Sequence, residues 1–121
     1  MIALLTALAG GLGAAARFVL DSLVARHNRL SVPLGTVVVN VTSCFLLGLL
    51  TGLVVSRPGL GDVGTVLGVG FLGGYSTFST ASVEGVRLLR QGRLTQAAAH
   101  SGGMLVLGLA AAALGVALGA R

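Results

Sequence analysis

The stretch G-G-Y-S-T-F-S-T-A-S, residues 73–82, decides how this chain is read. It lies between Asp62 and Glu84, an interval without formal charge that is long enough to cross a bilayer core. Two adjacent glycines weaken a helix there, each by roughly 1 kcal/mol relative to alanine. Mid-span glycines free the backbone to unwind, and unwound backbone survives at membrane depth only where it lines a cavity or binds an ion. The other reading is a packing notch in a continuous helix. The hydroxyls of Ser76, Thr77, Ser79 and Thr80 follow directly. A single Ser or Thr in a membrane helix usually bonds back to its own backbone. Four within five positions cover every face of a helix, so some are expected to line a polar path.

The rest of the chain has the composition of a membrane protein. Of 121 residues, 55% are hydrophobic and 9% charged, with mean hydropathy +0.99. A soluble domain of this size would carry roughly a quarter charged residues. Charge-free intervals also separate Arg29 from Arg57 and Arg93 from Arg121, and the first apolar segment contains Arg17 and Asp21. The expectation is an all-α membrane protein. Residues 1–121 form one domain of four transmembrane helices, at about 2–25, 32–55, 62–86 and 94–120, the third broken mid-span. The first is expected to be retained as a helix, since Met1-Ile2-Ala3 offers no basic region and no soluble domain follows. Pro33 suits the first turn of the second helix.

Composition also excludes several functions. Cys44 is the single cysteine and lies inside a span, so no disulfide framework exists. Net charge +5 comes from eight arginines that flank or end spans, which fits phospholipid headgroups better than nucleic acid. The loops are too short for a catalytic domain, and no Cys/His cluster, nucleotide loop or Ser/His/Asp set is present, so no enzyme is expected. Function must lie among the helices. Twenty glycines supply small-xxx-small pairs at 48/52, 64/68, 70/74 and 115/119. They are read as helix-packing notches, and a chain this small is expected to dimerise.

Individual polar residues carry two readings each. Asn40 shares a helix face with Thr36, and is either an interhelical hydrogen-bonding residue or an anion ligand. Phe78 is a packing aromatic, or a ring whose electropositive edge faces an anion. Arg17 and Asp21, spaced i, i+4, form a helix ion pair, or Arg17 draws anions into a vestibule. His100 is a lone membrane histidine, read as an interhelical hydrogen-bonding group. Carbonyls released near Gly73-Gly74 are natural ligands for a hard cation such as Na⁺.

Three segments together carry a resemblance: G-G-L-G-A-A-A-R-F at 10–18, G-T-V-V-V-N-V-T-S-C-F-L-L-G at 35–48, and G-F-L-G-G-Y-S-T-F-S-T-A-S-V-E at 70–84. In that order, within a four-span chain, the sequence resembles the Fluc/CrcB fluoride channels over essentially its whole length. The resemblance implies an antiparallel, dual-topology dimer in the cell membrane, with two narrow fluoride pathways and a central structural Na⁺. It implies passive exit of cytoplasmic fluoride, which protects against fluoride toxicity. By matching position, Asn40 and Phe78 are implied as pore residues and Thr36 as a polar neighbour of Asn40. Ser79 and Thr80 are implied to line the path and Arg17 a vestibule, while Glu84 is the acid that follows the motif. The carbonyls of Gly73 and Ser76 are implied as this subunit's share of the Na⁺ cage.

The chain also departs from that family's pattern. The motif usually ends Thr-Phe-Ser-Thr-Phe, and here Ala81 stands in place of the second ring. Helix four usually carries a tyrosine and a serine, where alignment on Gly108 puts His100 and Met104. Five arginines (26, 29, 87, 90, 93) fall on one side of the membrane and two (57, 121) on the other. That bias favours the five in the cytoplasm with both termini outside. A dual-topology homodimer should lack such a bias. A heterodimer with an oppositely oriented paralogue is therefore favoured over a homodimer. A small multidrug or cation transporter is the alternative, and it wants a central carboxylate that this sequence lacks.

Overall fold

The computed structural model describes residues 1–30 and 32–121, and among these every regular element is helical. Helix α1 spans Ile2–His27 and α2 spans Leu34–Ser56. Pro33 is the N-cap of α2, one residue ahead of its first turn. A 3₁₀ turn at Pro58–Leu60 leads into the third span, which is built in two pieces. The first piece, α3 (residues 61–75), begins as an α-turn at Gly61–Gly64. It widens to a π-helix at Thr65–Leu72 and closes with a turn at Gly73–Tyr75. The second piece, α4, is Ser79–Arg90, and α5 is Leu94–Gly119. Helices α1, α2 and α5 are each long and apolar enough to cross a membrane unbroken.

The third span is therefore interrupted, as the glycines and hydroxyls suggested, but the interruption lies just beyond the glycines. Gly73 and Gly74 are still helical, and the backbone turns extended at Ser76, with φ −74° and ψ 161°. The π-helix was not legible from the sequence. In it Gly73 N–H reaches back five residues to the Gly68 carbonyl, so the regular ladder loosens before it breaks.

Two backbone seams hold the bundle. Where α2 meets α5, a β-carbon on Gly48 would strike the Ala112 carbonyl, and one on Gly115 or Gly119 the carbonyl of Phe45 or Leu49. Where α1 meets α3, one on Gly74 would strike the Gly10 carbonyl and one on Gly13 the Phe71 carbonyl. Lipid tails are as apolar as leucine, so such close approach supplies association that burial cannot. The Gly64/Gly68 pair is different, since it meets only side chains of Val54, Leu50 and Leu47. Between the seams lies a small core of Val39, Leu72 and Tyr75, with Phe71 stacked on Tyr75 at 6.1 Å between centroids. The Tyr75 hydroxyl shares a 2.8 Å hydrogen bond with Thr42 Oγ1. Leu8, Leu12, Leu105, Val106 and Leu109 point outward, as a lipid-facing surface requires.

The loops sort by charge. Leu30, Val32 and Pro33 of the first loop border Arg87, Gln91 and Arg93 of the third, so one end of the bundle gathers the five arginines. At the other end Ser56 Oγ donates to the Ala120 carbonyl at 3.2 Å. Gly92, at φ 72°, makes the tight α4–α5 turn in a conformation that suits glycine.

Gly48→Val is expected to destabilise the protein by about 1–3 kcal/mol, because the added methyls force the α2–α5 backbones apart. Gly59→Ala, where a β-carbon meets open space among the described residues, is expected to be neutral. Thermal melts of the two variants in detergent check the contrast.

Candidate functional site

The break at Ser76–Phe78 exposes peptide groups that a continuous helix would satisfy, and side chains take over several of them. In an unbroken helix Thr77 N–H would return to the Gly73 carbonyl. It donates instead to Asn40 Oδ1 at 2.9 Å. Asn40 Nδ2 donates back to the Thr77 carbonyl at 2.7 Å, so the carboxamide pairs with both backbone groups of one residue. Thr80 N–H would return to the Ser76 carbonyl, but it donates to Thr77 Oγ1 at 3.2 Å. Thr77, one residue ahead of the Phe78 N-cap, thus satisfies a first-turn amide of α4. The Ser76 carbonyl takes Arg17 Nη1 at 3.2 Å.

These contacts separate the hydroxyls into two kinds. Thr6, Ser22, Thr51 and Thr65 bond back to the carbonyl four residues earlier, as single membrane hydroxyls do. Thr77 does not. It is 8% exposed and caps the restart of the helix.

The two open readings of Arg17 resolve by geometry. Among the described residues its guanidinium forms no ion pair with Asp21 and reaches the break instead. Asp21 is held against Gly35 of α2. The two acid–base neighbours still share a cavity of about 330 Å³, which Thr36, Thr77 and Thr80 also line. Arg17 therefore presents a positive charge in the same space as three threonines.

Asn40 and Phe78 lie on another face. They line an open groove of about 510 Å³ among α2, α4 and α5, together with Ser76, Ala81 and Met104. Phe78 is 87% exposed, so its ring stands out from the surface of the subunit. Met104 Sδ lies 3.2 Å from Asn40 Nδ2. Both hydrogens of the asparagine amide are thus directed at atoms of this chain, one at the Thr77 carbonyl and one at the methionine sulfur.

Ser79 and Thr80 line a third space with Val83, Glu84 and Arg87. Glu84 joins three helices. Its Oε1 accepts from Thr36 Oγ1 at 3.0 Å, and its Oε2 lies 3.2 Å from His100 Nε2. Glu84 is placed at the end of its span by sequence, yet its carboxylate is only 15% exposed. The predicted residues therefore do not share one cavity. They line several, with Thr77 between the Arg17 cavity and the Phe78 groove, and Thr80 between the Arg17 cavity and the space beside Glu84.

Sequence reasoning missed Met104 as a partner of Asn40 and His100 as the partner of Glu84. The spacing along α5 offered a signal for both, since His100 and Met104 are four apart and share a face.

Among the described residues no group of three His, Cys, Asp or Glu side chains is positioned to hold a metal ion. The carbonyl of Gly73 is free of its usual helical donor, and Gly73 itself is exposed. The Ser76 carbonyl has one of its two lone pairs directed at Arg17.

Comparison with known proteins places this arrangement. Residues 4–116 match the family model described as CrcB-like protein, Camphor Resistance (CrcB). The chain is 47% identical over 119 residues to "Fluoride-specific ion channel FluC 1" of Leifsonia xyli subsp. xyli, covering 98% of this chain and 87% of that one. It is 47% identical over 122 residues to "Fluoride-specific ion channel FluC 2" of Cutibacterium acnes, covering 100% and 99%. It is 42% identical over 116 residues to "Fluoride-specific ion channel FluC" of Nitratidesulfovibrio vulgaris, covering 95% and 94%.

Asn40→Ala removes both partners of the Thr77 peptide. It is expected to cost about 1–2 kcal/mol, the sum of two interhelical hydrogen bonds in a membrane. Faster hydrogen exchange at the Thr77 and Thr80 amides, with α1 unaffected, checks that the loss is local to the break.

Proposed function

This chain belongs to the CrcB family, and from that premise we propose that it is one subunit of a fluoride-specific channel of the cell membrane, not an enzyme. The observation that carries the reading is the break at Ser76–Phe78. At membrane depth it leaves a carbonyl freed at Gly73, an arginine at Ser76 and an aromatic ring projecting at Phe78. Fluoride is small and tightly hydrated. A path for it must replace water with hydrogen-bond donors and ring edges, and must be too narrow for larger halides. Asn40, Thr36, Ser79 and Thr80 supply the polar groups, Phe78 the ring edge, Arg17 and Glu84 the charged approaches. No fuel-binding motif is present, so movement is passive. A negative interior drives an anion outward by about 2.3 kcal/mol per 100 mV.

The channel works as a dimer in this proposal. The groove holding Phe78 is open, and the ring is uncovered within one subunit. A second subunit would close the groove. Sodium fits the same picture. Gly73 offers a freed carbonyl and Ser76 a second lone pair, two oxygens where a hard cation takes several more, so the remaining ligands come from the partner. Bound there, Na⁺ offsets the cost of holding an anion at low dielectric.

A paralogue of opposite orientation is the favoured partner. In this chain Ala81 stands in the groove where a second ring is expected, and Met104 takes the free hydrogen of Asn40. The five-to-two arginine bias points the same way. Relatives named FluC 1 and FluC 2 fit genomes that encode more than one such chain. The multidrug-transporter reading finds no support among relatives named as fluoride-specific channels.

Reconstitution in liposomes tests both levels. Fluoride efflux is expected from the chain together with its paralogue and not from the chain alone. Phe78→Ile is expected to cut flux by roughly tenfold or more, the scale of one lost ring contact of about 1.4 kcal/mol. Robust efflux from the chain alone would sink the heterodimer while leaving the channel intact. No efflux from either preparation overturns the fluoride reading.

A further inference from the structure

The arginine-rich end of the bundle carries positive charge that the chain does not balance. Arg26, Arg29, Arg87 and Arg90 make no hydrogen bond or ion pair among the described residues, and Arg93 Nη1 donates to Gln91 Oε1 at 3.3 Å. The three acids of the chain are engaged or distant. Glu84 turns one oxygen to Thr36 and the other to His100. Asp21 packs against Gly35, and Asp62 follows the 3₁₀ turn at the opposite end. Unbalanced guanidinium groups thus stand where the spans end, at the depth of the headgroup layer.

A pocket opens inside that charge. It measures about 310 Å³ and lies between the first loop and the end of α4. Its walls are built. Asn28 fixes the first loop, with Nδ2 donating to the Val32 carbonyl at 2.8 Å and Oδ1 accepting from Leu30 N–H at 2.9 Å. On the other side the Gly92 turn holds Gln91 and Arg93 beside α4. The apolar lining is Val32, Pro33 and the buried Leu88, and the polar lining is Arg87, Gln91, Arg93 and Glu84. The Glu84 carboxylate repels an anion there, and the two arginines outnumber it. Gln91 spends its oxygen on Arg93, which leaves its amide hydrogens as further donors at the same rim.

The surface around the pocket is amphipathic. Val83, Arg87 and Arg90 follow one another at i, i+4 and i+7, so they share one face of α4, and all three are exposed. Val83 lies one turn deeper in the span than Arg87. Leu30, 63% exposed, stands at the rim on the loop side. A small anion has no use for that apolar surface, whereas a phospholipid brings a phosphate and hydrocarbon chains together. We propose that this pocket is a binding site for an anionic phospholipid of the surrounding bilayer. The phosphodiester is held by Arg87, whose planar fork matches two phosphate oxygens, with Arg90 and Arg93 beside it. The chains stay outside the pocket, along Val83 and Leu30. Basic pockets at the ends of membrane helices recognise headgroups in this way. A lipid seated there bridges the first loop and the α4–α5 turn, two segments otherwise distant in sequence. The site requires only the membrane-spanning bundle and stands whether or not the chain conducts fluoride.

Native mass spectrometry of the full chain released from detergent tests this, with the paralogue present wherever the pair is needed. Phosphatidylglycerol and phosphatidylcholine with identical chains are added in turn. Preferential retention of phosphatidylglycerol is expected, and equal retention of the two lipids, or of neither, overturns the proposal. Arg87→Gln is expected to weaken the first bound phosphatidylglycerol by about fivefold, the usual weight of one basic side chain at an anionic membrane surface. Arg57→Gln, at the opposite end, is expected to leave that lipid in place. Equal losses in the two variants reveal general surface charge and overturn the site. Arg90→Gln carries the same comparison if Arg87→Gln does not fold. Glycerol phosphate, a headgroup without chains, separates the two sources of phosphate. It is expected not to displace the lipid at equal concentration, and displacement overturns the lipid in favour of a free phosphate.

Discussion

A broken helix inside a bilayer is possible only if its orphaned peptide groups find partners within the protein, because lipid offers none. Here one side chain meets two of those groups at once. The Asn40 carboxamide is a planar donor–acceptor pair of the same shape as a peptide edge, and it docks on Thr77 N–H and C=O together. With the Thr77 hydroxyl capping the restart and Arg17 on the Ser76 carbonyl, the interruption is held by three side chains from α1, α2 and the break itself. The rest of the structure follows from where this staple lies. It fixes α3 and α4 at an offset, turns Phe78 outward, and makes Thr77 the partition between an arginine-lined cavity and an open groove.

The staple needs the helices close enough for an asparagine to reach, and the glycine seams provide that. Gly10 and Gly13 let α3 lie against α1 backbone to backbone, while Gly48, Gly115 and Gly119 do the same for α2 and α5. Removing side chains at these contacts replaces the burial drive that lipid does not supply. The bundle is thus two tight helix pairs joined through the Asn40–Thr77 pairing and the small Val39–Leu72–Tyr75 core. The restarted helix α4 leaves a groove against the α2–α5 pair, which is where the aromatic ring and Met104 are found.

Charge is placed with the same economy. Five arginines crowd one end, and the carboxylate that faces them is tied to a threonine and a buried histidine. The acid is thereby kept at the boundary of the span, beside the space that Ser79 and Thr80 line. His100 is the unusual member, a fully covered ring whose Nδ1 has no hydrogen-bond partner among the described residues.

The sequence by itself determined the class, the four spans and the existence of a break. Charge-free intervals, paired glycines and clustered hydroxyls are local signals, and the bilayer leaves few other solutions for them. It also singled out Asn40 and Arg17, because polar groups in a membrane must bond to something, while Glu84 came only with the family resemblance. What each one bonds to was decided only by the tertiary structure. Arg17 had Asp21 one turn away and chose a carbonyl 59 residues distant, and Glu84 found a histidine 16 residues on. The break itself sits at Ser76 rather than at the glycines, and a π-helix precedes it, because Asn40, 37 residues earlier in the chain, meets the backbone at Thr77. Spacing along a helix says which side chains share a face. Which face meets which neighbour depends on the offset of whole helices, and that is set by the glycine seams acting together.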